Sequence, residues 1–157
     1  MAYQQVREIL ETVRHFHRYF RREIEASYST TQDPRSQFLL RSIRRGEQEM
    51  DLALGKYRKD GDQAVLDTWI QFVPSEEIQE VLFKKKIPDH STPSEVLEWK
   101  REFDASLVEF YRNIARQVSA PRTQELFESL ATMTDQRLTD QSWQAREDEL
   151  APNNNNP

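Results

Sequence analysis

The sequence predicts an all-α protein built on four long amphipathic helices. Apolar residues recur at steps of three and four through four segments of the chain, which is the period of a helix with one buried face. The apolar–polar alternation typical of strands is scarce, and only three glycines occur in 157 residues. Because this length is most simply that of one domain with a real core, we expect a single helical domain over residues 1–150.

Composition excludes several classes of function. The chain has no cysteine, so disulfides, iron–sulfur clusters and thiolate zinc sites are excluded. Charged residues make up 31% of it with a net charge of −5, whereas a nucleic-acid-binding surface needs a basic excess. We find no secretion signal, no apolar run of the roughly 20 residues that span a membrane, and no glycine-rich nucleotide loop. We therefore expect a cytoplasmic protein that binds neither nucleic acid nor membrane.

The first two helices form a hairpin in the predicted fold. Helix 1 is predicted over residues 3–28, and Asp33-Pro34 then supplies an N-cap acid and a proline at the first position of helix 2. Helix 2 is predicted to continue to about Lys59, before Asp60-Gly61. The apolar stripe of helix 1 comprises Val6, Ile9, Leu10, Val13, Phe16, Phe20 and Ile24.

A long connection and a second hairpin follow. Residues 62–91 contain two short helical candidates, 63–71 and 75–85, whose apolar residues predict packing on the long helices. Thr92 and Glu95 form a capping box at the start of helix 3, which is predicted to end near Val118. Helix 4 is predicted from the break at 119–121 to about Glu147, and the Asn-rich tail 151–157 is predicted to be disordered.

Each long helix carries one polar residue within its apolar stripe. In chain order these residues are His17, Glu47, Asp104 and Arg137. A polar group that faces a core costs free energy unless it is paired. One such residue per helix, at similar depth, therefore predicts a shared interior site of the kind found in helical bundles.

The two hairpins align with each other as an internal repeat. Phe16-His17 matches Phe103-Asp104 at a spacing of 87 residues, and Leu39, Leu40 and Ile43 match Leu126, Phe127 and Leu130 at the same spacing. His17 and Glu47 are 30 residues apart, as are Asp104 and Thr134. An offset shared by both helices of each hairpin indicates duplication of one unit.

From about Val6 to Gln144 the chain resembles the ferritin-like superfamily, in particular its rubrerythrin-like branch. The resemblance rests on FDASLVEFYRNIA in helix 3 and LLRSIRRGEQEMDLALGKY in helix 2. It implies a four-helix bundle of two antiparallel hairpins, joined by a long crossover between helices 2 and 3. It also implies homodimerisation, and two irons held by a glutamate on helices 1 and 3 and a Glu-x-x-His on helices 2 and 4.

The ligand positions implied by the resemblance do not all carry metal-binding residues. They are occupied, in chain order, by His17, Glu47, Met50, Asp104, Thr134 and Arg137. Two acids and one histidine cannot surround two metal ions, which need bridging carboxylates and imidazoles. A shift of one residue in helix 4 would instead bring Asp135 and Leu138 to these positions.

We therefore expect a former metal site that is now held by a salt-bridge cluster. In this prediction the planar guanidinium of Arg137 bridges Glu47 and Asp104 in place of a metal, and His17 completes the network. The chain would then be a non-catalytic binding or structural protein without a cofactor, acting as a homodimer or with an unidentified protein partner. The alternative is a metal-dependent oxidoreductase or metal-binding protein with iron or manganese at His17, Glu47 and Asp104, which requires Arg137 to point away from the core.

Overall fold

The computed structural model describes residues 3–30, 33–71, 75–89 and 91–150, with side chains except at 27–30, 36, 93 and 138–150. This part of the chain is mostly helical, which confirms the all-α prediction. Its helices are α1 (Val6–Thr30), α2 (Pro34–Asp60), α3 (Gln63–Leu66), α4 (Glu76–Gln79), α5 (Pro93–Gln117) and α6 (Pro121–Leu150). Its strands are β1 (Tyr3–Gln5) and β2 (Trp69–Gln71). The predicted disorder of 151–157 lies outside the described residues.

The two short strands correct the predicted helix bounds. β1 and β2 pair in antiparallel register, with Gln4 opposite Ile70, and the Val6 amide continues the pairing by donating to the Thr68 carbonyl at 3.0 Å. Helix 1 therefore begins at Val6 rather than Tyr3, and the helix predicted over 63–71 ends at Leu66. Pairing between segments that are distant in sequence outweighs local helix propensity here.

Helices α1 and α2 form one antiparallel hairpin, and α5 and α6 form another. Arg58 of α2 contacts Glu11 near the start of α1 at 3.0 Å, and Arg44 contacts Glu25 near its end at 3.2 Å. Later residues of α1 thus meet earlier residues of α2. Only residues 118–120 separate α5 from α6, and these two helices pack along each other over much of their length.

Aromatic contacts between the hairpins fix the direction of α5. The rings of Phe16 and Phe110 lie 5.5 Å apart, and those of Phe20 and Phe103 lie 4.4 Å apart. Because residues later in α1 meet residues earlier in α5, these helices are antiparallel. Helix α2 therefore runs in the same direction as α5, and the connection between them must return along the length of the helices.

That connection is anchored to the long helices, as predicted. After α4 it continues as a π-helical turn, Glu80–Lys84. The Tyr19 hydroxyl donates to the Lys85 carbonyl at 3.2 Å, and the Ile87 amide donates to Glu23 at 3.1 Å. Leu82 is fully buried. Within the described residues, no helix has both the length and the apolar character needed to cross a membrane.

Candidate functional site: a buried ion-pair cluster between the hairpins

Glu47 of α2 is the hub of a buried polar cluster. Its side chain is 2% exposed, and its two oxygens accept hydrogen bonds from His17 Nδ1 and from Lys100 Nζ. An ionised carboxylate can only accept, so Nδ1 donates this hydrogen bond. His17 and Glu47 meet because each lies on the apolar stripe of its own helix in one antiparallel hairpin.

The positive charge of the cluster comes from Lys100 of α5. Its buried Nζ donates to Glu47 and, at 2.7 Å, to Oδ1 of Asp104. Lys100 and Asp104 are four residues apart and so share one face of α5. The ammonium also lies 5.8 Å from the ring centre of Phe20 and 5.5 Å from that of Phe103.

The structure corrects the role predicted for Arg137. Its side chain is 39% exposed, and among the described side chains it contacts the acid Glu49, at 4.0 Å. One guanidinium nitrogen donates to the Gly46 carbonyl at 3.3 Å. Arg137 therefore lies at the margin between α6 and α2, and the position between Glu47 and Asp104 is taken by Lys100.

The pKa values of the two carboxylates are shifted in opposite directions by their surroundings. Burial alone would raise the pKa of Glu47, but Lys100 and His17 lower it to about 2. Burial, together with the nearby Glu47 charge, raises the pKa of Asp104, although Lys100 opposes the change. Burial alone would lower the pKa of Lys100, but the two carboxylates raise it above its usual value. Of the two acids, Asp104 is thus the one that takes up a proton more readily.

Several polar atoms near the cluster have no hydrogen-bond partner within the described structure. They are His17 Nε2, Asp104 Oδ2 and the hydroxyl of Tyr111, all buried. Burial, with the charges of Glu47 and Asp104, raises the pKa of Tyr111, which stays a neutral phenol. Thr134 is also buried, but its hydroxyl donates to the Leu130 carbonyl at 2.8 Å and is therefore satisfied.

Lys100 is the site residue that sequence reasoning missed. Two signals pointed to it: it precedes Asp104 by one helical turn, and it lies on the buried face of α5. The repeat spacing of 87 residues pairs positions that are buried in both hairpins. Between α1 and α5 these pairs are Ile9 and Val96, Val13 and Lys100, Phe16 and Phe103, His17 and Asp104, Phe20 and Leu107, and Ile24 and Tyr111. Lys100 thus matches a valine that is buried in the first hairpin.

The residues do not fit a two-iron centre. Met50 is buried at one predicted ligand position, Thr134 is satisfied by its own helix, and Arg137 lies at the margin. The Lys100 ammonium is bound to both carboxylates, so a metal ion there would meet a positive charge at short range. Among the side chains that the structure describes, no group of three or more His, Asp or Glu is arranged to hold a metal ion.

Comparison with known proteins adds no family to this description. No protein-family model matches the chain, and neither a curated protein nor a solved structure matches it. The inference of function therefore depends on the geometry of the cluster and on the surface around it.

Proposed function

We propose that the chain is a non-catalytic, ferritin-like four-helix bundle in which Lys100 replaces a two-metal centre, and that it acts as a binding or structural protein. The observation that carries the proposal is the hydrogen bonding of Lys100 Nζ to both Glu47 and Asp104. The shared direction of α2 and α5 and the paired buried positions of the two hairpins support the ferritin-like arrangement. A cytoplasmic location, without nucleic-acid or membrane partners, stays a prediction from composition.

The cluster is poorly suited to acid–base catalysis. A general base works best when its pKa lies near the working pH, whereas the pKa of Glu47 is about 2 and that of Lys100 is raised above its usual value. Both side chains are also at most 7% exposed, so a substrate has no direct access to them. These groups stabilise one another as a closed ion pair.

Metal analysis tests this part of the proposal. Protein purified without chelators should contain less than stoichiometric iron, manganese and zinc. Adding iron(II), manganese(II) or zinc should leave the melting temperature of the wild type unchanged. A metal that bound the native state would instead raise that temperature by mass action. Stoichiometric metal that is lost in His17→Ala would instead support the metal-dependent alternative.

We further propose that the outer face of the β1–β2 sheet forms the contact of a homodimer. The register pairs Tyr3 with Gln71 and Gln5 with Trp69. Since side chains alternate between the faces of a strand, these four share the face opposite the buried Ile70. Tyr3 is 62% exposed and Trp69 is 61% exposed, and aromatic residues are enriched at protein interfaces.

Light scattering coupled to gel filtration, over a dilution series, tests the dimer. The wild type should elute as a dimer and Trp69→Ser as a monomer. Leu52→Ser is the matched control, since Leu52 is 62% exposed but lies on α2, away from the sheet, and this variant should stay dimeric. A wild type that is monomeric throughout, or equal behaviour of the two variants, would remove the support for this contact.

A further inference from the structure

We infer that Glu47, Asp104 and the rings of Phe20 and Phe103 form an internal ammonium-binding site, whose resident ligand is the side chain of Lys100. The two carboxylates accept hydrogen bonds from Nζ. The two rings lie within 5.8 Å of it, at cation–π distance. Carboxylates that neutralise a cation and a stacked pair of aromatic rings beside it are together a recognition site for an ammonium group.

The composition of this site distinguishes an ammonium ligand from a metal ligand. A lysine ammonium has three donors and no need of a full shell of lone pairs, so aromatic rings, which offer no lone pairs, can line the rest of its surroundings. A divalent metal requires oxygen or nitrogen ligands instead, and neither Phe20 nor Phe103 supplies one. The chemistry of the walls therefore selects a primary ammonium ion.

The walls are held in place without the lysine stem. Phe20 and Phe103 are buried and stacked, with ring planes inclined by 16°. They come from α1 and α5, whereas Glu47 comes from α2 and is also fixed by His17. Because three helices supply the walls, the site should persist when the stem of Lys100 is removed. An ammonium ion that is not attached to the chain should then bind.

Lys100→Ala with n-propylammonium as the probe tests this inference. The substitution removes three carbons and the ammonium nitrogen, which is the size of n-propylammonium. Adding the probe should raise the melting temperature of Lys100→Ala in a saturable way, by about 3–5 °C at tenfold above its dissociation constant. The same concentrations of sodium chloride or 1-propanol should give no such rise, and the wild type should not respond to the probe.

Lys100→Met provides the matched control. Its side chain fills the space of the stem without a charge, so its melting temperature should not respond to n-propylammonium. If Lys100→Ala is unfolded, the readout is recovery of helical circular dichroism with n-propylammonium chloride but not with sodium chloride. The inference is overturned if n-propylammonium changes neither the melting temperature of folded Lys100→Ala nor the helical circular dichroism of the unfolded variant beyond the effect of salt. It is also overturned if Lys100→Met responds equally.

This inference rests on the same Lys100 contacts as the proposed function, yet the two can fail separately. Metal content is measured on the wild type, whereas ammonium binding is measured on a variant. A metal-free wild type whose Lys100→Ala variant ignores n-propylammonium would leave the proposed function standing and remove the ammonium site.

Discussion

Glu47→Gln is the substitution that best measures the strength of the buried cluster. The pKa of Glu47 is lowered from 4.5 to about 2, and each tenfold change in proton affinity corresponds to about 1.4 kcal/mol. Ionisation of Glu47 therefore contributes about 3 kcal/mol to folding at neutral pH. Breaking a buried ion pair typically costs about 3–5 kcal/mol. For Glu47→Gln we expect a loss of stability at the lower end of this range, because loss of the Glu47 charge lets Asp104 ionise more readily beside Lys100.

The stability lost in Glu47→Gln should decrease as the pH falls. Because the pKa of Glu47 is lower in the folded than in the unfolded chain, its contribution is fully present above about pH 4.5 and is lost as the pH falls through about 2. Urea unfolding followed by far-UV circular dichroism should show a gap of about 3 kcal/mol between wild type and Glu47→Gln at neutral pH. The gap should be constant down to about pH 4.5 and should shrink below it.

Glu102→Gln is the control for this measurement. Glu102 pairs with Lys85 on the surface, where both side chains are more than a third exposed, and such pairs contribute at most about 1 kcal/mol. The reasoning is refuted if Glu47→Gln costs no more than Glu102→Gln, or if the gap between wild type and Glu47→Gln stays the same in acid.

Three further substitutions test other parts of the structure by thermal and urea unfolding. Tyr111→Phe removes a buried hydroxyl that has no partner among the described residues and should leave stability unchanged or raise it by up to about 1 kcal/mol; a clear loss would show that the hydroxyl is paired. Arg137→Ala should cost less than about 1 kcal/mol, because its contacts are at the surface, and a loss near 3 kcal/mol would restore the role first predicted for it. Thr92→Ala removes the oxygen that accepts the Glu95 amide at 3.2 Å and should cost about 1 kcal/mol, whereas Thr92→Ser should cost almost nothing.

The long helices could be predicted from the sequence because their signals are local. The start of α2 at Pro34 follows from a proline at the first helical position, and α2 ends at Asp60, directly before Gly61, as the Asp60-Gly61 pair predicts. The β1–β2 sheet could not be predicted in this way. It depends on pairing between Tyr3–Gln5 and Trp69–Gln71, and neither segment alone is long or alternating enough to indicate a strand.

The same holds for the candidate site. The sequence indicates which helix faces are buried, but not which charged group reaches the interior. Helical phase placed His17 and Glu47 on facing stripes of one hairpin, and they are hydrogen-bonded. Phase also placed Arg137 near an interior position, but a long side chain can direct its head group outward, as lysine and arginine commonly do. Lys100 does the reverse, because Asp104 lies one turn away on its own helix and Glu47 lies across from it. A cation one turn from an acid within an apolar stripe is therefore the more specific sign of an internal ion pair. The described contacts of Arg137 lie instead at the margin, with the Gly46 carbonyl and Glu49 of α2.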